Sequence, residues 1–222
     1  MFPVNLRLTG RLVLMVGAGR VGGRKLRKIL AAGARVRLVE PEPSPEIAEL
    51  AAAGALELEA GFKPELMNGV SLVFTASSDR ALNQAVAEAA RRAGAWVNAA
   101  DDPEGSDFQL PAVVERGDFL LTVATGGGSP ALTAAVAAGL REVYGPEYGR
   151  LARLLAWLRP LVLNSGRSGL EREAIFKRLA ESAELRAALA GENFATAREL
   201  TAELLTPIAL EDDEVVFQQM LK

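Results

Sequence analysis

Short apolar segments alternate with amphipathic segments along roughly the first half of the chain. Residues 12–16 have the apolar character of a fully buried strand, and residues 21–32 have helical periodicity. The alternation continues with further strands predicted over residues 34–39, 55–58, 71–76 and 95–98, and helices over 45–53 and 80–93. Strands that alternate with helices predict an α/β fold with a doubly wound, parallel, Rossmann-type sheet.

The alternation ends after residue 105. Residues 108–112 and 119–125 are predicted as strands with no helix between them, which indicates an antiparallel or separately paired element. Helical patterns then follow over residues 131–144, 148–161, 170–181 and 194–205. We therefore predict three parts: a nucleotide-binding domain (1–113), a small β–α connecting element (114–147) and a C-terminal helical domain (148–222).

A glycine motif lies between the first predicted strand and the first predicted helix. Gly17, Gly19 and Gly22 have the spacing G-x-G-x-x-G, which is weak evidence alone but here stands in the strand–turn–helix order of a dinucleotide-binding site. The first glycine permits the tight turn, the second leaves room for a pyrophosphate, and the third lets the helix lie close to the strand. Free N–H groups at the helix start would face the anion.

Glu40 follows the second predicted strand, about 20 residues beyond the glycines. An acid at this position can accept hydrogen bonds from the ribose hydroxyls of NAD, and it repels the 2′-phosphate of NADP. The alternative is a solvated loop acid with no ligand. We favour NAD as the cofactor. The predicted cofactor-binding residues are Gly17, Gly19, Arg20, Val21, Gly22, Glu40, Pro41, Thr75 and Ala76.

The composition limits which side chains can act in catalysis and which partners the protein can bind. The chain of 222 residues has no cysteine and no histidine, so thiolate and imidazole chemistry are excluded and proton transfer falls mainly to carboxylates. A net charge of −3 gives no general affinity for nucleic acid. The N-terminus lacks a basic segment followed by an apolar one, and no apolar run approaches the roughly 18 residues that span a bilayer. We expect a cytoplasmic protein that binds no membrane and holds no metal.

Two further segments carry polar chemistry. The acids Asp101 and Asp102 follow the fifth predicted strand, at the sheet edge where open α/β sheets bind ligands. They could instead close an Asx-turn, and sequence alone leaves the alternatives about even. The glycine-rich segment 125–130 precedes a predicted helix with Ser129 as its N-cap. It could bind an anion or serve as a flexible turn.

These motifs, in this order, resemble the family of precorrin-2 dehydrogenases and sirohydrochlorin ferrochelatases, which acts in siroheme synthesis. The likeness covers roughly the first 145 residues. The matching segments are Phe2-Pro-Val-Asn-Leu6, Gly10-Arg11, Val16-Gly-Ala-Gly-Arg-Val-Gly-Gly-Arg-Lys25, Asn98-Ala-Ala-Asp-Asp-Pro103, Asp107-Phe-Gln-Leu-Pro-Ala112, Arg116-Gly117 and Thr125-Gly-Gly-Gly-Ser-Pro-Ala-Leu132.

The resemblance implies oxidation of precorrin-2 to sirohydrochlorin with NAD as hydride acceptor, and Asp101 as the catalytic residue. It implies a homodimer joined through the element after the nucleotide-binding domain and, in some members, insertion of Fe²⁺ into sirohydrochlorin. Many relatives have a small residue in place of Glu40 and alanine in place of Gly22. The non-enzymatic alternative is an NAD-sensing regulatory domain. The candidate substrate-binding residues are Asn98, Asp102, Arg116, Gly127, Gly128 and Ser129.

Overall fold

The computed structural model of the chain describes residues 1–206, 208–210 and 214–221. It contains two compact units, Met1–Leu110 and a second that begins at Pro111. The further boundary at residue 147 stays a prediction. Among the described residues, no helix combines the length and the apolar character that a membrane crossing requires.

The first unit is built on a parallel sheet in the order β3-β2-β1-β4-β5. Its strands are β1 (Leu12–Val16), β2 (Arg35–Val39), β3 (Glu57–Glu59), β4 (Val70–Thr75) and β5 (Trp96–Ala99). The side chains of the central strand β1 are almost completely buried, because layers of helices cover both of its faces. This confirms the α/β prediction and places the carboxyl ends of β1, β2, β4 and β5 along one edge of the sheet.

Side chains cap two of the three helices of the first unit. The helices are α1 (Arg20–Ala31), α2 (Pro45–Ala52) and α3 (Arg80–Arg92), and a 3₁₀ turn covers Pro64–Met67. Ser44 accepts a hydrogen bond from the Ile47 N–H as the N-cap of α2, and Asp79 accepts one from the Leu82 N–H as the N-cap of α3. Capping by Asp79 fixes the direction in which α3 leaves the carboxyl end of β4.

The second unit opens with an antiparallel hairpin of β6 (Ala112–Arg116) and β7 (Phe119–Val123). Helices follow, and Ser129 caps the first of them, as predicted. They are α4 (Pro130–Val143), α5 (Pro146–Leu163), α6 (Gly169–Glu181), α7 (Ala183–Ala190), α8 (Phe194–Leu205) and α9 (Glu214–Leu221). A leucine-rich core joins α5 to the later helices. The sequence pattern does not predict α7 or α9.

The strand predicted over residues 108–112 is wrong. The Asp107 N–H donates to the carbonyl of Val97, and the Asp107 carboxylate accepts from the Val97 N–H, so this segment is tied to β5 from the side. Phe108 packs edge-on against Phe74, with 5.4 Å between ring centroids. Its apolar character therefore reflects packing on the sheet, and β6 starts only at Ala112.

Candidate cofactor cleft and catalytic loop

A cleft of about 610 Å³ opens at the carboxyl edge of the parallel sheet. Loops after β1, β2, β3 and β4 form its walls, as expected for a ligand site in an open α/β sheet. The lining residues are Val16, Gly17, Gly19, Arg20, Val21, Val39, Glu40, Pro41, Ala60, Gly61, Ala76, Ser77, Ser78, Asp79 and Leu82.

The three motif glycines have different physical roles. Gly17 has φ +86°, and an added Cβ would lie 2.6 Å from the Ser77 nitrogen; at Gly22 it would lie 2.2 Å from the Gly17 carbonyl oxygen. At Gly19, no atom of the described residues lies within 4 Å of an added Cβ. Gly17 and Gly22 are therefore required by the protein's own packing, whereas Gly19 leaves open space beside the start of α1. That space fits a pyrophosphate, and the cleft suits NAD.

Glu40 is bound to the glycine loop. Its Oε2 accepts a hydrogen bond of 2.8 Å from the Ala18 N–H, while its Oε1 lies 3.4 Å from the Glu42 nitrogen. The carboxylate is thereby held on the wall of the cleft, at the end of β2. This position matches that of an acid that binds ribose hydroxyls.

Most of the residues predicted to bind the cofactor meet in this cleft. Those that line it are Gly17, Gly19, Arg20, Val21, Glu40, Pro41 and Ala76. Gly22 is buried under the loop, and Thr75 is fully buried, with a hydroxyl that has no hydrogen-bond partner among the described residues. Sequence reasoning missed Ala60 and Gly61 after β3 and residues 77–79 after β4, although the rule that ligands bind at the carboxyl ends of parallel strands covers them too.

The carboxylate of Asp101 is held by a buried asparagine. The Asn83 Nδ2 donates to Asp101 Oδ2 over 3.1 Å, and Asn83 is only 3% exposed. Its Oδ1 accepts from the Ser77 hydroxyl at 2.9 Å and from the Ser77 N–H at 3.3 Å. A backbone N–H can only donate, so the Ser77 N–H must face the amide oxygen of Asn83. The amide N–H groups of Asn83 then point to Asp101 and to the Ser77 carbonyl. Asn83 thus joins the cofactor cleft to Asp101, and sequence reasoning missed it.

The neighbouring acid has a different environment. Asp102 Oδ1 accepts a 2.9 Å hydrogen bond from the Gly105 N–H, and the Asp102 carbonyl accepts one from the Ser106 hydroxyl. These bonds close the loop after β5. The Asx-turn alternative therefore describes Asp102, whereas the Asp101 carboxylate contacts α3; both side chains are exposed.

Asn98, a predicted substrate contact, is mostly buried in β5. Its Oδ1 accepts a 2.7 Å hydrogen bond from the Lys25 ammonium, and its Nδ2 donates to the Phe108 carbonyl. Burial, together with the charge of Arg24, lowers the pKa of Lys25. These contacts link α1, β5 and the segment after β5, and a substrate contact from Asn98 stays a prediction.

The remaining predicted substrate residues belong to the second unit. Arg116 donates to the carbonyls of Arg141 and Tyr144, so its guanidinium caps the C-terminal end of α4. Gly127, Gly128 and Ser129 form the turn before α4, and the Gly128 N–H donates to the Thr125 carbonyl. Their roles toward a substrate stay predictions. Among the described residues, no group of three or more acidic side chains is placed to hold a metal ion.

The sheet, the glycine cradle and the acid at the end of β2 define a dinucleotide-binding protein of the Rossmann type. Residues 4–112 match a family described as putative NAD(P)-binding. The chain is 41% identical to a siroheme synthase of Chromobacterium violaceum over 162 residues, and 35% identical to siroheme synthase 3 of Aeromonas hydrophila over 215. The solved structure of SirC, a precorrin-2 dehydrogenase, superposes with a TM-score of 0.73 at 27% identity, covering 92% of this chain and 98% of that one. The chain is therefore similar to siroheme synthases and to a precorrin-2 dehydrogenase, and NAD is its cofactor.

The two siroheme synthases are longer proteins. The matched regions cover 72% and 96% of this chain but only 34% and 46% of those relatives. The chain therefore spans a third to a half of the curated relatives it matches.

Proposed function

We propose that the protein oxidises precorrin-2 to sirohydrochlorin with NAD as the acceptor. The observation that carries this proposal is the Asn83 amide, which holds the Asp101 carboxylate and also contacts Ser77 on the wall of the cofactor cleft. A cofactor-binding domain alone would need no carboxylate anchored beside its cleft. This arrangement favours an enzyme over an NAD-sensing regulatory domain.

The chemistry requires that the substrate lose one hydride and one proton. Bound NAD supplies the hydride acceptor. The Asp101 carboxylate takes the proton from the substrate and returns it to water, which balances the conversion of NAD⁺ and precorrin-2 to NADH, H⁺ and sirohydrochlorin. The Asn83 N–H acts by fixing the carboxylate in one orientation, so that the protein contributes mainly reacting geometry.

A matched pair of isosteric variants tests the role of Asp101. Asp101→Asn keeps an oxygen that can accept from Asn83 but removes the base, and we expect the rate of NADH formation with precorrin-2 to fall by roughly 10²–10⁴-fold. Asp102→Asn keeps the acceptor for the Gly105 N–H and should retain most of the activity. Equal activity of Asp101→Asn and the parent would remove this residue from the mechanism, and no NADH formation by the parent would reject the reaction itself.

We also propose that the protein acts as a homodimer joined through the second unit. Large apolar side chains on β7 and along α4 are exposed, namely Leu120, Leu132, Val136 and Val143. An exposed apolar surface of this kind is typical of a contact with a second copy of the chain. Val136→Asp should give a monomer in light scattering, whereas Leu170→Asp, at an exposed position of α6, should leave the dimer intact. A parent protein that is monomeric would refute this part of the proposal.

Two finer expectations come from the family. Fe²⁺ is a second substrate in some members, so Fe²⁺ added to the completed incubation tests whether a metal-bound spectrum forms faster than without protein. We also propose a cytoplasmic location, and cell fractionation tests it.

A further inference from the structure

A second cleft, of about 310 Å³, lies wholly within the second unit. Pro146, Gly149, Arg150 and Arg153 occupy one face of α5, because their spacing follows the helical repeat. The turn between β6 and β7 forms another wall. An added Cβ at Gly149 would lie 2.3 Å from the Arg116 carbonyl oxygen, so helix and turn are in direct contact. The remaining lining residues are Gly117, Glu192, Phe194 and Leu221.

The lining carries an excess of positive charge. Three arginines and one glutamate give it a formal charge of +2. Arg150 is paired with Glu192, donates to the Leu189 carbonyl and lies over the Phe194 ring, 6.0 Å from its centroid. Arg116 donates to carbonyls at the end of α4. These contacts hold two of the guanidinium groups in place.

Arg153 differs from the other two arginines. Its Nε is buried, and none of the described residues accepts a hydrogen bond from it. A buried donor without an acceptor is unfavourable, and so is the repulsion of Arg150, one turn earlier on the same face. The Nε is enclosed by the protein, so an anion in the cleft would pair instead with the terminal nitrogens of Arg153, which have no partner among the described residues. Such pairing would also offset the repulsion between the guanidinium groups, since these bind carboxylate and phosphate through paired hydrogen bonds.

We propose that this cleft binds a small polyanionic metabolite carrying phosphate or carboxylate groups. Its volume equals roughly ten water molecules at about 30 Å³ each, which suits a pyrophosphate or a tricarboxylate and is too small for a tetrapyrrole. The site lies outside the cofactor cleft and uses none of the residues around Asp101. The two clefts share no lining residue, so this ligand is distinct from NAD.

Calorimetric titration with pyrophosphate and with citrate tests the proposal, at constant ionic strength and with saturating NAD to occupy the glycine loop. We expect the parent to bind at least one of the two anions, and the preferred anion identifies the ligand group as phosphate or carboxylate. Arg153→Met should weaken binding roughly tenfold or more through loss of a charge-assisted hydrogen bond. Arg159→Met, which changes an exposed arginine of α5 outside the cleft, should bind like the parent.

Arg153→Lys covers the case in which Arg153→Met does not fold, as judged by circular dichroism. Lysine keeps the charge but loses the planar fork, so this variant should bind more weakly than the parent. Unchanged affinity in a folded Arg153 variant would overturn the proposal. Absence of measurable binding of either anion to the parent at roughly 10 mM, far above the affinity expected of a specific site, would do the same.

Discussion

The role assigned to Asn83 predicts a specific loss of turnover when its amide is removed. Asn83→Leu has a similar volume but lacks the donor to Asp101 Oδ2 and the acceptor for the Ser77 hydroxyl and N–H. The Asp101 carboxylate would then be free to rotate, and the Ser77 N–H would lose its acceptor, whereas the Ser77 hydroxyl would keep its bonds to the Asp79 backbone. We expect a lower kcat with a smaller change in the KM for precorrin-2.

The structure sets the size of the effect. A hydrogen bond to a charged group contributes about 1.5–3 kcal/mol when it is desolvated. Since Asp101 is exposed, we take a value just below this range, about 1.4 kcal/mol, which corresponds to a roughly tenfold decrease in kcat. The unsatisfied N–H of Ser77 should also lower the free energy of unfolding by about 1–2 kcal/mol.

A second variant separates the effect on Asp101 from the effect on Ser77. Asn83→Asp keeps oxygens that accept from Ser77 but presents a carboxylate to Asp101 instead of a donor. Its kcat should therefore be low at pH 8 and should recover partly toward pH 6, where protonation of the introduced carboxyl restores a donor. A residue that only stabilises the fold would not produce this recovery.

The assay is NADH formation from precorrin-2 under saturating NAD, with denaturant unfolding measured in parallel. Gln84→Leu is the matched control, because Gln84 is the next residue on α3 and its exposed side chain contacts only Glu88 among the described hydrogen bonds. A folded Asn83→Leu protein with a kcat within about twofold of the Gln84→Leu control would refute the role assigned to Asn83.

Three further predictions concern the cofactor cleft and the second unit. Gly19→Ala should unfold like the parent, since an added Cβ meets no described atom, but should weaken NAD binding in calorimetry because the methyl group enters the space for the pyrophosphate. Glu40→Gln should raise the affinity for NADP relative to NAD by roughly tenfold, because the repulsion between the carboxylate and the 2′-phosphate is lost. The same ratio of NADP affinity to NAD affinity in the variant and the parent would contradict this prediction. Hydrogen bonds from the Ser168 N–H and hydroxyl lower the pKa of Glu171 below its ordinary value of 4.5. The ionised Glu171 therefore stabilises the fold fully above pH 4.5, and this stabilisation is lost as the pH falls through the lowered pKa. Glu171→Gln should accordingly be less stable than the parent at pH 7 and equally stable in strong acid, as measured by denaturant unfolding.

The sequence predicts the first unit well because its signals are local. Buried strands, capping residues and the glycine motif each depend on neighbouring residues, and the strands β1 and β4 appear close to where the apolar pattern places them. The strand predicted over residues 108–112 fails for the opposite reason. Phe108 is apolar because it packs against Phe74 on a distant strand, a contact that no local pattern reveals.

The role of Asn83 also depends on residues that are distant in the sequence. A polar residue on the apolar face of α3 interrupts the stripe that indicates core packing, so sequence reasoning treats it as a defect in the pattern. Its buried position makes sense only with Ser77 and Asp101, which come from the loops after two neighbouring strands. Polar interruptions of an otherwise apolar helix face, at the carboxyl edge of a parallel sheet, are therefore worth examining as candidate site residues.

The two adjacent acids after β5 show what a linear pattern cannot decide. Both have the same side chain, and they occupy adjacent positions after β5. Their roles diverge because the peptide turns between them, so that Asp102 receives the Gly105 N–H while Asp101 receives the amide of α3. Both side chains are exposed. The Asp102 carboxylate is committed to a backbone N–H that closes its loop, whereas the Asp101 carboxylate is oriented by a side chain that also contacts the wall of the cofactor cleft. The assignment of the base to Asp101 therefore rests on the partners of the two carboxylates, and exchanging either acid for its amide tests it directly.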